Sequence, residues 1–236
     1  MFLDVDGTLL DFAAAPDEVE VPGDLPGTLG ALRGILGGAL ALVSGREIAV
    51  LDRLFAPLRL PAAGQHGAEL RDSEGGEIIG AGPPQHLAGL IARLNKFTAS
   101  RPGLLVEDKG ASVAVHYRKA PHHRGELQQF IQRAILESGE DIEMLHAHMA
   151  FDIKRRSVNK GHAVAWFMSR PPFRGRLPVF VGDDVTDEDG FDAVTARGGH
   201  AVQIGTARAR VASWHAPTPS DLRHWLRACV AEHASR

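Results

Sequence analysis

Short apolar runs, each closed by a polar cluster, recur toward both ends of the chain. Met1 to Val5, Gly38 to Val43, Leu177 to Val181 and Gly199 to Ile204 are too short for helices and read as buried strands. Between them apolar residues fall at helical spacing. Leu25 to Leu36, Glu47 to Phe55, a stretch through Ala163, Trp166 and Phe167, Asp187 to Val194 and Asp221 to Val230 read as helices. The helix from Asp187 opens with acidic residues, which suit the positive end of a helix dipole. The last helix carries Leu222, Trp225, Leu226 and Cys229 at helical spacing, with Cys229 expected in the core. Strands alternating with helices specify a parallel sheet covered on both faces. Ligands bind such sheets beyond the carboxyl ends of the strands.

The middle of the chain follows a different pattern. Asp72 to Ile79, with Gly75-Gly76, reads as a hairpin, and Pro84 to Thr98 as a helix. Leu104 to Lys109 and Ser112 to Arg118 alternate and are joined at Gly110, so they read as paired strands. Gly125 to Leu136 is helical, with Leu127, Phe130, Ile131 and Ala134 on one face. Ile142 to Leu145 and Ala150 to Ile153 form a second strand pair. Such pairs suit an antiparallel sheet, and the stretch is too long for a plain loop. The expected organisation is an α/β core from residues 1–71 and 157–236, with an inserted α+β domain at 72–156.

Composition narrows the function classes. The 236 residues are 44% hydrophobic with a net charge of −3, so nothing draws the chain generally to nucleic acid or to an anionic membrane. The single cysteine cannot form an internal disulfide. No apolar run nears the ~18 residues of a spanning helix. Met1 to Leu3 lead straight into acidic residues, so no signal peptide is expected and a cytoplasmic enzyme is the default.

The polar clusters supply the chemistry. Asp4 and Asp6 sit two apart at a strand end, so both carboxylates leave on one side while Val5 points the other way. Gly7 allows a tight turn and close ligand approach. An aspartate is ionised at neutral pH and needs no base to act as a nucleophile. Its difficulty is repulsion from a phosphate dianion, which a divalent cation and a lysine relieve. Mg²⁺ takes oxygen ligands and keeps several waters. Asp4, Asp183 and the Asp6 backbone carbonyl can ligate it, while Asp184 and Asp187 hold its waters. Lys160, just before a helix, can neutralise phosphate and nucleophile, and Ser44 can donate to a phosphate oxygen. Asp6 is then the general acid and later the general base. His122-His123 and His146-x-His148 read as surface or structural residues. Lys154-Arg155-Arg156 reads either as a phosphate contact or as a solvated basic turn, and Glu107 and Lys109, by themselves, as an exposed strand pair.

Asp4-Val5-Asp6-Gly7-Thr8, Ser44, Lys160 and Gly182-Asp183-Asp184 together resemble the haloacid dehalogenase superfamily. That resemblance implies a Rossmannoid core with a cap domain, Asp4 as nucleophile, Asp6 as acid and base, and Asp183 on the metal. A closer resemblance is to trehalose-6-phosphate phosphatases. It rests on Ser44-Gly45-Arg46, His66-Gly67-Ala68-Glu69, Glu107-x-Lys109 followed by His116-Tyr117-Arg118, and Asp183-Asp184-Val185-Thr186-Asp187-Glu188-Asp189. Asp11 to Pro22, with Pro16, also fits. The resemblance implies hydrolysis of trehalose 6-phosphate with Mg²⁺ and functional coupling to a trehalose-6-phosphate synthase. Ser44, Gly45, Arg46 and Lys160 would bind phosphate. His66, Glu69, Glu107, Lys109, His116 and Arg118 would reach the sugar, joined by Asp152, Lys154 and Asn159. The family's usual Glu-x-Arg-Pro before the lysine motif is Asp152-Ile153-Lys154-Arg155 here. That substitution leaves a phosphatase of sucrose or hexose phosphates as an alternative. An inactive sugar-phosphate sensor is the other.

Overall fold

The computed structural model describes residues 1–13, 18–80, 85–110, 112–139, 141–147, 149–156, 158–206 and 211–234. Pro16, Pro84 and His148, all noted in the sequence, lie outside the described residues. The chain divides into two compact units, Met1–Ile79 with Asn159–Arg236, and Gly80–Val158.

The first unit begins with β1 (Phe2–Leu3), α1 (Leu25–Ile35), β2 (Ala41–Val43), α2 (Ile48–Leu54), β3 (Ala62–Gly64) and β4 (Glu69–Arg71). β5 (Ile79–Gly80) leads into the second unit, which holds α3 (Gln85–Thr98), β6 (Leu105–Asp108), β7 (Ser112–His116), α4 (Arg124–Ser138), β8 (Ile142–Ala147) and β9 (Ala150–Arg155). The chain then returns through α5 (Lys160–Met168), β10 (Val179–Gly182), α6 (Glu188–Thr195), β11 (His200–Ile204), β12 (Trp214–Ala216) and α7 (Pro219–Ala234).

The larger sheet runs in the order β12-β11-β10-β1-β2-β3-β4-β5. Strands β12 through β3 pair in parallel, and β4 pairs antiparallel to β3. Alternation along β1 divides the core in two. Phe2 packs with Phe180, Ala163, Phe167, Phe191 and Val194 on the side of α5 and α6. Leu3 and Val5 pack with Leu29, Ile48, Leu51, Leu222 and Leu226 on the side of α1, α2 and α7. Full burial of one such side chain contributes about 1.5–3 kcal/mol, so the two layers pin the strand from both faces. Strand β1 is shorter than its apolar run suggests, because the ladder ends once the Asp4 N–H has reached the neighbouring strand. Cys229 is only partly buried rather than in the core.

The second unit has a four-stranded antiparallel sheet, β6-β7-β9-β8. Its helices cover one face. Leu90 and Leu94 of α3 and Leu127, Ile131 and Ala134 of α4 pack on Val113, Val115, Phe151 and Ile153. The intervening strand residues therefore point away from the helices.

Candidate active site

Strand β1 lies where the sheet order reverses, with β2 on one side and β10 on the other. Connections diverge at such a point and leave a crevice beyond the strand ends. Asp4 and Asp183 stand there. Register aligns Leu3 with Val181, and the Asp4 N–H donates to the Val181 carbonyl at 2.9 Å. Lys160 enters from the first turn of α5. Asn159 caps that helix, its side chain accepting from the His162 N–H at 2.8 Å. The cap fixes where the lysine emerges.

Lys160 Nζ donates to Asp4 Oδ1 at 2.7 Å and to Asp187 Oδ1 at 2.6 Å. All three residues are buried. Burial disfavours the ammonium charge, but Asp187 and Asp4 outweigh it and hold the lysine pKa above its ordinary value. Burial pushes Asp4 up, against the pull of Lys160. Burial likewise raises Asp187. Asp183 is raised to about 6, first by burial and then by the charges of Asp187 and Asp184, while the Thr8 hydroxyl opposes. One lysine therefore faces an excess of buried carboxylate, and a divalent cation would balance it.

The donor set fits such a cation. Oxygen atoms of Asp4, Asp183 and Asp187 lie within 4.8 Å of one another. All-oxygen donors suit a hard cation. Asp187 is already committed, however. Its Oδ2 accepts the Asp183 and Asp184 N–H groups at 2.9 and 3.1 Å, and its Oδ1 holds Lys160. Its bonds orient the cluster, so that Asp4 and Asp183 would be the carboxylates to take such an ion. Asp184 Oδ1 caps the turn that follows, accepting from Thr186 N and Oγ1.

Arg46 forks onto Asp6, with Nε and Nη2 each 2.7 Å from a carboxylate oxygen. Ser44, at the end of β2, is buried, and its Oγ accepts the Arg46 N–H at 3.2 Å. Gly45 lies between them, and a Cβ there would crowd the His66 ring, 2.8 Å from its Nε2. His66 adopts a left-handed φ of 59°, and its N–H donates to the Ser44 carbonyl at 2.9 Å.

The trehalose-phosphatase family model matches residues 2–224. The chain belongs to that family. It is a phosphatase, with a largely buried aspartate cluster that could hold a divalent cation. It is 48% identical to a "Probable trehalose-phosphate phosphatase" of Sinorhizobium fredii over 87% of this chain and 77% of the relative. It is 42% identical to the "Trehalose-6-phosphate phosphatase" of Escherichia coli K12 over 95% of this chain and 84% of that one. The fold matches the C-terminal domain of a C. albicans trehalose-6-phosphate phosphatase at TM-score 0.82 and 20% identity, covering 98% of this chain and 91% of that one. No helix among the described residues is long and apolar enough to cross a membrane.

Several other candidate residues of this trehalose-phosphatase family member are held by local bonds. Glu69 receives the Ile48 N–H at 2.8 Å and the Gln65 amide at 2.9 Å, so it anchors the start of α2. In the second unit, Glu107 pairs with His116 at 2.7 Å and Lys109 with Asp152 at 3.2 Å, on the sheet face opposite the helices. Lys154 is buried against Glu143 at 2.9 Å and the Val158 carbonyl at 2.5 Å. Arg118 is exposed in the turn after β7. Two supporting residues were given no role in the sequence reading. Thr8 Oγ1 donates to Asp183 Oδ1 at 2.9 Å, and Gln203 Nε2 to the Asp183 carbonyl at 2.7 Å. A lone glutamine in the otherwise apolar Ala201–Ile204 run was the available signal.

The raised Asp183 pKa predicts an inverted pH dependence for the cation-free family member. Between the usual 3.8 and about 6, the folded chain keeps a proton that the unfolded chain releases. Stability is then fully present below the lower value and falls as pH rises through the window. Asp4 and Asp187 act in the same direction. Melting in chelator should show a Tm that drops from about pH 4 to above pH 6, with a shallower drop in Asp183→Asn. A wild-type Tm that rises across that window as steeply as the variant's would contradict the assignment.

Proposed function

We propose that this protein hydrolyses trehalose 6-phosphate to trehalose and inorganic phosphate through an aspartyl-phosphate on Asp4, with Mg²⁺ as the cation. The carrying observation is the buried bridge from Lys160 to Asp4 and Asp187 beside Asp183 at the switch point of the sheet. It holds Asp4 Oδ1 and leaves Oδ2 as the attacking oxygen. Held by Asp4, Asp183 and the Asp6 carbonyl, Mg²⁺ would neutralise phosphoryl charge and favour attack. Asp184 would hold its water.

The Asp4 carboxylate attacks phosphorus, and the bond from phosphorus to the sugar oxygen breaks. Asp6 gives the departing oxygen its proton. Asp6 then removes a proton from water, which attacks phosphorus and releases phosphate from Asp4. Asp6 lies in the Arg46 fork. Engagement of Arg46, Ser44 and the Gly45 backbone by the incoming phosphate would release Asp6 to take up that proton. Lys160 offsets the charge of phosphate and nucleophile throughout.

The second unit acts as the cap that sets specificity, in keeping with an inserted domain at about residues 72–156. By the family resemblance, Glu107, Lys109, His116, Arg118 and Asp152 are its residues for sugar hydroxyls, and His66 and Asn159 are further substrate residues in the first unit. The bonds held by Glu69 and Lys154 support structural parts for those two. A cytoplasmic setting and functional coupling to a trehalose-6-phosphate synthase accompany this reading.

A panel of sugar phosphates tests it. Trehalose 6-phosphate should be turned over in clear preference, activity should vanish in excess chelator, and Mg²⁺ should restore it. Equal turnover of sucrose or hexose phosphates would replace the substrate. Full activity in chelator would remove the cation.

A further inference from the structure

The loop after β1 is held by a residue that the chemistry does not use. The N–H groups of Thr8, Leu9 and Leu10 all converge on the Val5 carbonyl, at 3.3, 2.9 and 2.9 Å. The Leu9 carbonyl instead receives Arg223 Nη1 at 2.8 Å, from 214 positions further along the chain. Arg223 Nη2 reaches Asp11 at 3.0 Å. The arginine side chain is 11% exposed and Asp11 68%. The bond to the Leu9 carbonyl is therefore the shielded one, and the bond to Asp11 is open to solvent. Leu222 and Leu226, from the same helix α7, pack in one cluster with Leu9 and Leu10. The helix thus grips the loop by an apolar face and one charged hydrogen bond.

A cavity of about 340 Å³ opens beside that loop, lined among others by Gly7, Asp11, Phe12, Asp183, Thr206 and Pro219. Phe12 is 75% exposed. Gly7, at φ +79°, sits so close to Asp183 that a Cβ would lie 2.3 Å from its Oδ2. The neighbouring Thr8 hydroxyl holds the other oxygen, Oδ1. Any shift of the loop would therefore move Thr8 and Gly7 relative to Asp183.

We propose that Arg223 is a positioning residue for the cation site: by fixing the Leu9 carbonyl it keeps Thr8 and Gly7 against Asp183, and so sets the orientation of that carboxylate. This rests on the reading of Asp183 as a cation ligand. Groups that orient metal ligands typically change metal affinity by about 10- to 100-fold when removed.

The test is Mn²⁺ binding to the whole purified protein without substrate, followed by electron paramagnetic resonance. Arg223→Ala should bind about 10-fold or more weakly. Arg223→Lys, which can still donate one bond to the Leu9 carbonyl, should recover part of that loss. Thr8→Val should weaken binding, and adding it to Arg223→Ala should cost less than the sum of the two, because both act through Asp183. Asp11→Asn should stay within about twofold of wild type, since only an exposed pair is altered. Thermal melts report any purely structural loss separately. Wild-type Mn²⁺ affinity in Arg223→Ala, or a fully additive double variant, overturns the proposal. Equal binding by wild type and Asp183→Asn overturns the ligand assignment itself, and the proposal with it.

Discussion

Asp4→Asn is expected to lower turnover by about four orders of magnitude or more, since removal of a covalent nucleophile costs on that scale. The fold should survive. The asparagine is nearly isosteric, and it removes one negative charge from a cluster in which burial already raises the pKa of Asp4. The cation-free variant should melt no lower than wild type. Asp4→Glu separates charge from placement: it keeps the carboxylate but moves it by one methylene, and displacement of that order costs about 10²-fold or more. Borohydride reduction during turnover reports the intermediate directly. An acyl phosphate on Asp4 would be reduced to the alcohol at that position. Near-wild-type turnover in Asp4→Asn would remove Asp4 as the nucleophile.

Lys160→Met carries the largest expected effect on stability. The lysine is the cation bonded to both Asp4 and Asp187, and all three are buried. Removing one partner of a buried ion pair costs about 3–5 kcal/mol, because the remaining charge is left uncompensated. Urea unfolding in chelator should show that loss at neutral pH. Added Mg²⁺ should recover part of it by neutralising the same carboxylates. Phosphatase activity should disappear in either case. Lys160→Arg should not rescue the enzyme. A planar guanidinium cannot replace a compact ammonium held at 2.7 and 2.6 Å between two oxygens in a closed space. A Lys160→Met protein as stable as wild type in chelator would show that the bridge contributes nothing to the fold.

The two variants probe different parts of the same cluster. Asp4→Asn relieves negative charge and should abolish chemistry while leaving cation-free stability equal or higher. Lys160→Met adds uncompensated negative charge and should affect both chemistry and stability. The opposite signs of the two stability effects follow from the excess of carboxylate over lysine, which also underlies the inverted pH dependence of Asp183.

The alternating pattern at the two ends of the chain was enough to specify a parallel α/β core. Buried strands of that kind are apolar throughout and end abruptly where polar residues begin, so β1, β2, β10 and β11 announce themselves. The same endings located Asp4, Ser44 and Asp183, because a strand must hand its next residue to the carboxyl edge of the sheet. Strands β3, β4 and β12 were not legible. Ala62–Gly64 contains no β-branched residue, and Trp214–Ala216 is a short, largely exposed edge strand. Their pairing depends on neighbours, not on local propensity. Sequence spacing also could not distribute the carboxylates. It placed Asp184 and Asp187 alike as holders of the ion's waters, and only the fold shows Asp187 within the cluster, bonded to Lys160 and two backbone N–H groups. Arg46 reads equally well as a phosphate ligand, and only the packing of the loop after β2 puts its fork on Asp6. Local pattern announced the helices and the apolar core strands, because each of those answers to its own periodicity. Partners for charged side chains were decided by the tertiary structure alone, because Lys160 meets Asp4 across 156 positions and Arg223 meets Leu9 across 214. No short-range rule connects residues that far apart.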